Sequence, residues 1–104
     1  MKILITVGIY PPDIGGPASF VPKIANLFVD NEFEVTVICL SETKIQDNER
    51  YNVIRILRKQ NLLIRWVKTI FTIIKNGFNA NYIFVNGLPM ESYIANLFLR
   101  KKLI

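Results

Sequence analysis

Between residues 8 and 18 the chain reads Gly-Ile-Tyr-Pro-Pro-Asp-Ile-Gly-Gly-Pro-Ala, a run whose residue types suit the holding of an anion. Pro11 and Pro12 remove two backbone donors and bias Tyr10 towards an extended conformation, so neither a helix nor a paired strand can run through them. Gly15 and Gly16 follow, with no Cβ to block positive φ or close backbone approach. The peptide amides from Gly15 to Ala18, Pro17 excepted, can then point at a phosphate or carboxylate. Pro and Gly are also the ordinary punctuation of a surface loop, and the residue types alone leave both readings open. The spacing is not that of a dinucleotide fingerprint, because Gly8 and Gly15 are too far apart for G-x-G-x-x-G, and no G-K-[ST] marks a P-loop. Glu42 stands where a ribose-binding acid would follow a second strand, but without the glycine spacing it carries little weight.

Other chemistry is restricted by composition. With no histidine and a single cysteine, Cys39, a Ser-His or Cys-His mechanism cannot be completed within these residues. Cys39 sits in the apolar run from Val35 to Leu40 and reads as a buried core thiol, with no partner for an internal disulfide and no visible metal cluster. The net charge of +5 divides unevenly: residues 1–52 carry 4 basic and 7 acidic groups, residues 53–104 carry 9 basic and 1 acidic. That cationic half comes without an RNP motif, zinc-finger spacing or helix-turn-helix, so nucleic acid is not the expected partner.

The elements that must position the glycine loop are legible from periodicity. Met1 to Val7 is a β-branched apolar run, with only Lys2 and Thr6 polar, of the kind covered on both sheet faces, which predicts a central parallel strand. Val21, Ile24, Ala25, Leu27 and Phe28 then recur at helical spacing, with Lys23, Asn26 and Asp30 opposite. Ser19 is a possible N-cap for this helix, and a start near Gly16 would instead place Pro22 inside it and predict a kink. Glu34 to Leu40 forms the second strand, residues 41–50 a polar loop, and Asn52 to Leu57 a third strand with Arg55 and Arg58 at its exit. Asn61 caps a helix running to about Asn76 with Gly77 at C′, and Tyr82 to Val85 makes a fourth strand. Asn86-Gly87-Leu88-Pro89 breaks that strand. A last helix continues to Leu99, with Tyr93, Ile94, Leu97 and Phe98 as its apolar stripe and Arg100, Lys101 and Lys102 closing it.

Strand and helix in alternation predict an α/β fold with a doubly wound parallel sheet in the order 3-2-1-4. The topological switch point then falls between the first and fourth strands, and ligands bind outside the carboxyl ends there. Gly15, Gly16, Asn86 and Gly87 become the candidate binding residues, facing one another across that crevice. Lys102-Leu103-Ile104 repeats the entry of Lys2-Ile3-Leu4 and reads as the opening of a fifth strand. The chain is therefore expected to be truncated at that strand, a partial domain of a longer protein.

The Met-Lys-Ile-Leu-Ile opening, the loop from Tyr10 to Ala18, Val21-Pro22-Lys23 and Glu34-Val-Thr-Val37 together resemble the N-terminal domain of a group 1, family 4 glycosyltransferase of the GT-B fold. Tyr82 to Pro89 and the helix ending in basic residues extend the similarity over the whole chain. The resemblance implies that residues 1–104 form part of an acceptor-side, Rossmann-like domain. The intact enzyme would transfer a hexose from a nucleotide-sugar to a sugar or lipid-linked acceptor with retention at the anomeric carbon. It places the family's glycine loop, which reaches the donor's phosphates or sugar, on Gly15 and Gly16. The family's nucleotide-binding domain, with its E-x7-E segment and basic pair, has no counterpart here. No catalytic residue is assigned, and this chain alone is expected to be inactive. The nucleotide-sugar is a substrate, so no cofactor or metal is expected. The resemblance implies that amides at Gly15 and Gly16 would stabilise charge on the leaving diphosphate together with cations of the second domain. The alternative is a stand-alone, non-enzymatic ligand-binding or membrane-surface α/β module.

One further segment stands out. Asn61 to Lys75 places Arg65, Lys68, Thr69, Thr72 and Lys75 on one narrow stripe and large apolar residues around the rest. The ordinary reading is a helix wedged between a sheet and a neighbouring helix. A second is an amphipathic surface resting on an anionic membrane, with Trp66 and Phe71 at the interface and Arg58, Lys59, Arg65 and Lys68 near headgroups; a third is a face against which further residues of an intact, longer protein pack. No window approaches the ~20 uncharged apolar residues of a membrane span, and Pro11-Pro12 interrupts any signal-peptide core. The expected location is cytoplasmic, peripheral to the membrane if that helix binds it.

Overall fold

The computed structural model describes residues 1–11, 15–42, 49–100 and 102–103. Five parallel strands form one sheet: β1 (Lys2–Val7), β2 (Glu34–Ser41), β3 (Asn52–Leu57), β4 (Tyr82–Val85) and β5 (Lys102–Leu103). Their order is β3-β2-β1-β4-β5, which carries the expected 3-2-1-4 core. Three helices join them, α1 (Gly16–Asp30) between β1 and β2, α2 (Leu62–Gly77) between β3 and β4, and α3 (Pro89–Leu99) between β4 and β5, with none between β2 and β3 among the described residues. The fold is thus the expected α/β parallel sheet with helices on both faces.

The register explains the division of the core. β1 lies between β2, with Ile3 opposite Val35 and Val7 opposite Cys39, and β4, with Ile3 opposite Tyr82 and Thr6 opposite Val85. Successive side chains of a strand point to opposite faces. Ile3, Ile5 and Val7 therefore meet Val35, Val37, Cys39 and the α1 residues Val21 and Ala25 on one side. Leu4, Ile38 and Ile83 meet Ile73 of α2 and Ala95 of α3 on the other. β1 is buried along its length from Ile3 to Val7, as a central strand requires, and Cys39 is fully buried.

Several local expectations are corrected. Of the two starts considered for α1, the helix takes the one at Gly16, with Gly15 as its cap in place of Ser19 and with Pro22 inside it. Because Pro22 has no N–H, the Ala18 carbonyl lacks its usual helical donor. Leu27, expected on the packed face of α1, is half exposed. Gly77 is the last residue of α2 and not its C′ residue. A Cβ there would come 2.7 Å from the Leu99 Cδ1, so Gly77 serves close packing between α2 and α3.

The helix facing α3 towards the sheet is the largest correction. Of the expected apolar stripe, Ile94 is half-buried, but Tyr93, Leu97 and Phe98 are 56%, 75% and 74% exposed, while Ser92 and Ala95 are fully buried. Small side chains let this short helix lie close to β1 and β4, and the large ones are turned outward. Arg100 takes a left-handed conformation as the C-cap of α3, and Lys102 belongs to β5 and not to the helix end. The pairing of Tyr82 with Lys102 and Ile83 with Leu103 shows the expected fifth strand opening. The expectations for Pro12, the centre of the 41–50 loop (43–48), Lys101 and Ile104 lie outside the described residues.

Candidate functional site

The carboxyl ends of β1 and β4 are joined by polar contacts rooted in the sheet. Thr6, a polar residue in an otherwise apolar strand, is fully buried. Its Oγ1 donates to the Gly87 carbonyl at 3.0 Å and lies 2.9 Å from the Ser92 Oγ. Ser92 in turn reaches the Leu88 carbonyl at 2.7 Å. Burial of two hydroxyls is tolerated because each is engaged. The Asn86 amide donates to the Thr6 carbonyl at 2.9 Å, carrying the β1–β4 ladder one residue past Val85.

From there the chain turns sharply into α3. Gly87 lies so close to β1 that a Cβ would sit 2.4 Å from the Gly8 nitrogen and 3.0 Å from both Val7 C and Cα. Leu88 then adopts a left-handed conformation (φ 53°) as the helix cap, a geometry that costs a branched residue roughly 1–2 kcal/mol. Pro89 occupies the first turn, where its missing N–H leaves no helical bond unmade. Asn86 is held by this turn with its Nδ2 shielded from solvent and without a hydrogen-bond partner among the described residues. An unpartnered buried amide donor is a cost of about 1–3 kcal/mol unless something outside the fold accepts from it.

On the other side of the β1 exit, Gly15 has φ +155° and ψ 171°, a region open essentially to glycine alone. A Cβ there would meet the Ile9 Cδ1 at 2.6 Å. Its carbonyl accepts from the Ser19 amide at 3.1 Å, which starts α1. The Gly16 and Ala18 amides belong to the first turn, where the helix itself supplies no acceptor. A Cβ on Gly16 would meet nothing within 4 Å. At the exit of β1, then, Asn86 bonds to Thr6, Gly87 lies against Val7 and Gly8, and Gly15 lies against Ile9, while Gly16 stands open.

The two glycines predict opposite outcomes on substitution. Gly15→Ala should lower stability by about 2 kcal/mol through backbone strain and the Ile9 contact. Gly16→Ala should change it by less than about 0.5 kcal/mol. Thermal unfolding of both variants measures the difference, and equal losses would contradict the assigned geometry.

Arg55 and Arg58, read only as strand-exit markers, turn out to brace this end of the sheet. Arg58 donates to the Glu42 carboxylate at 2.8 Å, to the Gly8 carbonyl at 3.2 Å and to the Leu40 carbonyl at 3.3 Å. Arg55 donates to the Pro11 carbonyl at 2.6 Å and lies over the Tyr10 ring. The Tyr10 hydroxyl hydrogen-bonds to that of Tyr51, with both rings buried. Glu42, considered as a ribose acceptor, is here the partner of Arg58. Thr6 and Ser92 were also missed as site-building residues. Their signal was a polar residue within an apolar strand and another on an apolar helix.

The three membrane-surface candidates lie elsewhere, on α2. Arg65 is half-buried and reaches the Arg58 carbonyl at 3.4 Å, Trp66 is half-buried, and Lys68 is exposed. Thr69, expected beside them on a polar stripe, is buried and bonded to the Arg65 carbonyl at 2.7 Å. That internal bond makes its place against the sheet inexpensive. No helix among the described residues is long and apolar enough to cross a membrane.

Compared with known proteins, the chain matches no family model and no curated protein sequence.

Proposed function

We propose that the β1–β4 crevice takes the diphosphate end of a nucleotide-sugar, and that the chain is the acceptor-side domain of a retaining glycosyltransferase. The observation that carries this reading is Asn86, whose buried Nδ2 has no partner among the described residues. It stands at the switch point of a parallel sheet, where α/β folds bind ligands. The Gly15 cap and the open approach to Gly16 support it, because an anion at a helix N-terminus gains both N–H donors and the favourable end of the helix dipole. In this reading Asn86 donates to a phosphate or sugar oxygen, and Thr6 and Ser92 hold the turn that aims it. The Gly16 and Ala18 amides take charge developing on the leaving diphosphate, and a second, nucleotide-binding domain supplies the cations. Fixed donors aimed at developing charge accelerate such a transfer without having to reorganise.

The test is a titration of the chain with UDP-, GDP- and ADP-sugars, followed by amide NMR. The Asn86 side-chain amide and the Gly16 backbone amide are expected to move with at least one donor and not with the free sugar. Asn86→Ala should abolish that response. It should also leave stability unchanged or raise it by about 1 kcal/mol, since it removes an unsatisfied donor. A response that survives in Asn86→Ala, or that is absent for every nucleotide-sugar, rejects the site.

A further inference from the structure

The outward face of α2 is unlike an ordinary solvated helix surface. Leu63, Ile64, Val67 and Phe71 are 58–70% exposed, and with Lys68 they line one shallow apolar depression. At 100° per residue, Ile64, Lys68, Phe71, Lys75 and Phe78 share a single face, opposite the Ile73 row that meets the sheet. Cations and large apolar groups therefore alternate along one exposed surface. α3 packs beside α2 on the same sheet face and exposes Tyr93, Leu97 and Phe98 as well. From Leu62 to Gly77 there is no acidic residue, and residues 53–104 contain only Glu91.

We infer that this face docks on an anionic lipid surface, with α2 lying in the headgroup region. Charge decides among occupants. A two-fold pairing of this face would set the Lys68 and Lys75 cations of one copy against the same cationic patch of the other, with no acidic residue of α2 to pair them, and like charges across an interface oppose dimerisation. A protein partner is normally held in register by about one hydrogen bond per 100–200 Å², and this depression offers only the Lys68 ammonium. A bilayer needs no such register. It accepts the apolar side chains, while lysine stems run along them and carry their charges to the phosphates. This inference is independent of the sugar-transfer reading, since it uses none of the residues at the β1–β4 crevice.

Vesicle flotation of the 104-residue chain tests it, comparing neutral phosphatidylcholine with vesicles containing about one-third phosphatidylglycerol. Binding is expected to the anionic vesicles and to fade with salt. Each of Lys68→Gln and Lys75→Gln should weaken it about fivefold, from about 1 kcal/mol per cation near the surface. Lys23→Gln, the same charge change on exposed α1 across the sheet, should leave it unchanged. Val67→Ser with Phe71→Ser should weaken it without lowering the unfolding temperature, because neither side chain is buried. Any one of three results overturns the inference: equal binding to neutral and anionic vesicles, equal effects of Lys23→Gln and Lys68→Gln, or no binding at low salt. Loss of vesicle binding accompanied by a dimer in sedimentation would assign the face to a second copy instead.

Discussion

Gly87→Ala is expected to cost about 3 kcal/mol, at the upper end of what overpacking a rigid site does. The added Cβ would meet main-chain atoms of Val7 and Gly8, not the movable end of a side chain. Those atoms lie at the exit of the central strand, which is paired on both edges. Relief would require β1 and β4 to part where Thr6 bonds to the Gly87 carbonyl, so the clash cannot be relaxed locally. In a domain of this size such a loss corresponds to a fall in Tm of about 15 °C. Circular-dichroism melting measures it, and a fall under about 4 °C, equivalent to less than 1 kcal/mol, would show that the turn can move aside.

Two residues on opposite faces of α2 should differ almost as sharply. Ile73 is fully buried against Leu4, Ile38 and Ile83, and Ile73→Ala should cost about 3 kcal/mol from lost transfer energy and the cavity left behind. Phe71 is the larger side chain but is 66% exposed, and Phe71→Ala should change stability by less than about 0.5 kcal/mol. Urea unfolding of both variants separates them. A comparable loss for Phe71→Ala would mean that the outward face of α2 stabilises the fold, and it would remove the reason to seek a docking surface there.

The sheet was readable because its strands are β-branched runs with clear ends. Asn52–Leu57 and Tyr82–Val85 have the expected bounds, and the order around β1 follows from the alternation of strand and helix. The facing of the last two helices was not readable, for a physical reason. Periodicity locates an apolar arc, but α2 and α3 are apolar over more than half their circumference, and close packing selected Thr69, Gly77, Ser92 and Ala95 as the inward residues. A polar hydroxyl bonded to its own helix or to β1 faces the sheet more easily than its type suggests. At the site, the glycines announced themselves through turn chemistry. The demand for glycine at Gly15 and Gly87 but not at Gly16 came only from neighbours distant in sequence or from a backbone angle. That the Asn86 Nδ2 has no partner among the described residues had no sequence signal at all, since pairing is a property of the folded surroundings.

The placement of Cys39 has a practical consequence. The chain's only thiol lies fully buried in β2, opposite Val7 of β1 and Arg55 of β3. A thiol-specific reagent can reach it only when the strands around it separate. Where closing outruns the reagent, the labelling rate reports the free energy of that opening; where the reagent is faster, it reports the opening rate itself. The molecule thus carries an intrinsic clock for the parting of its central strands, readable by mass alone.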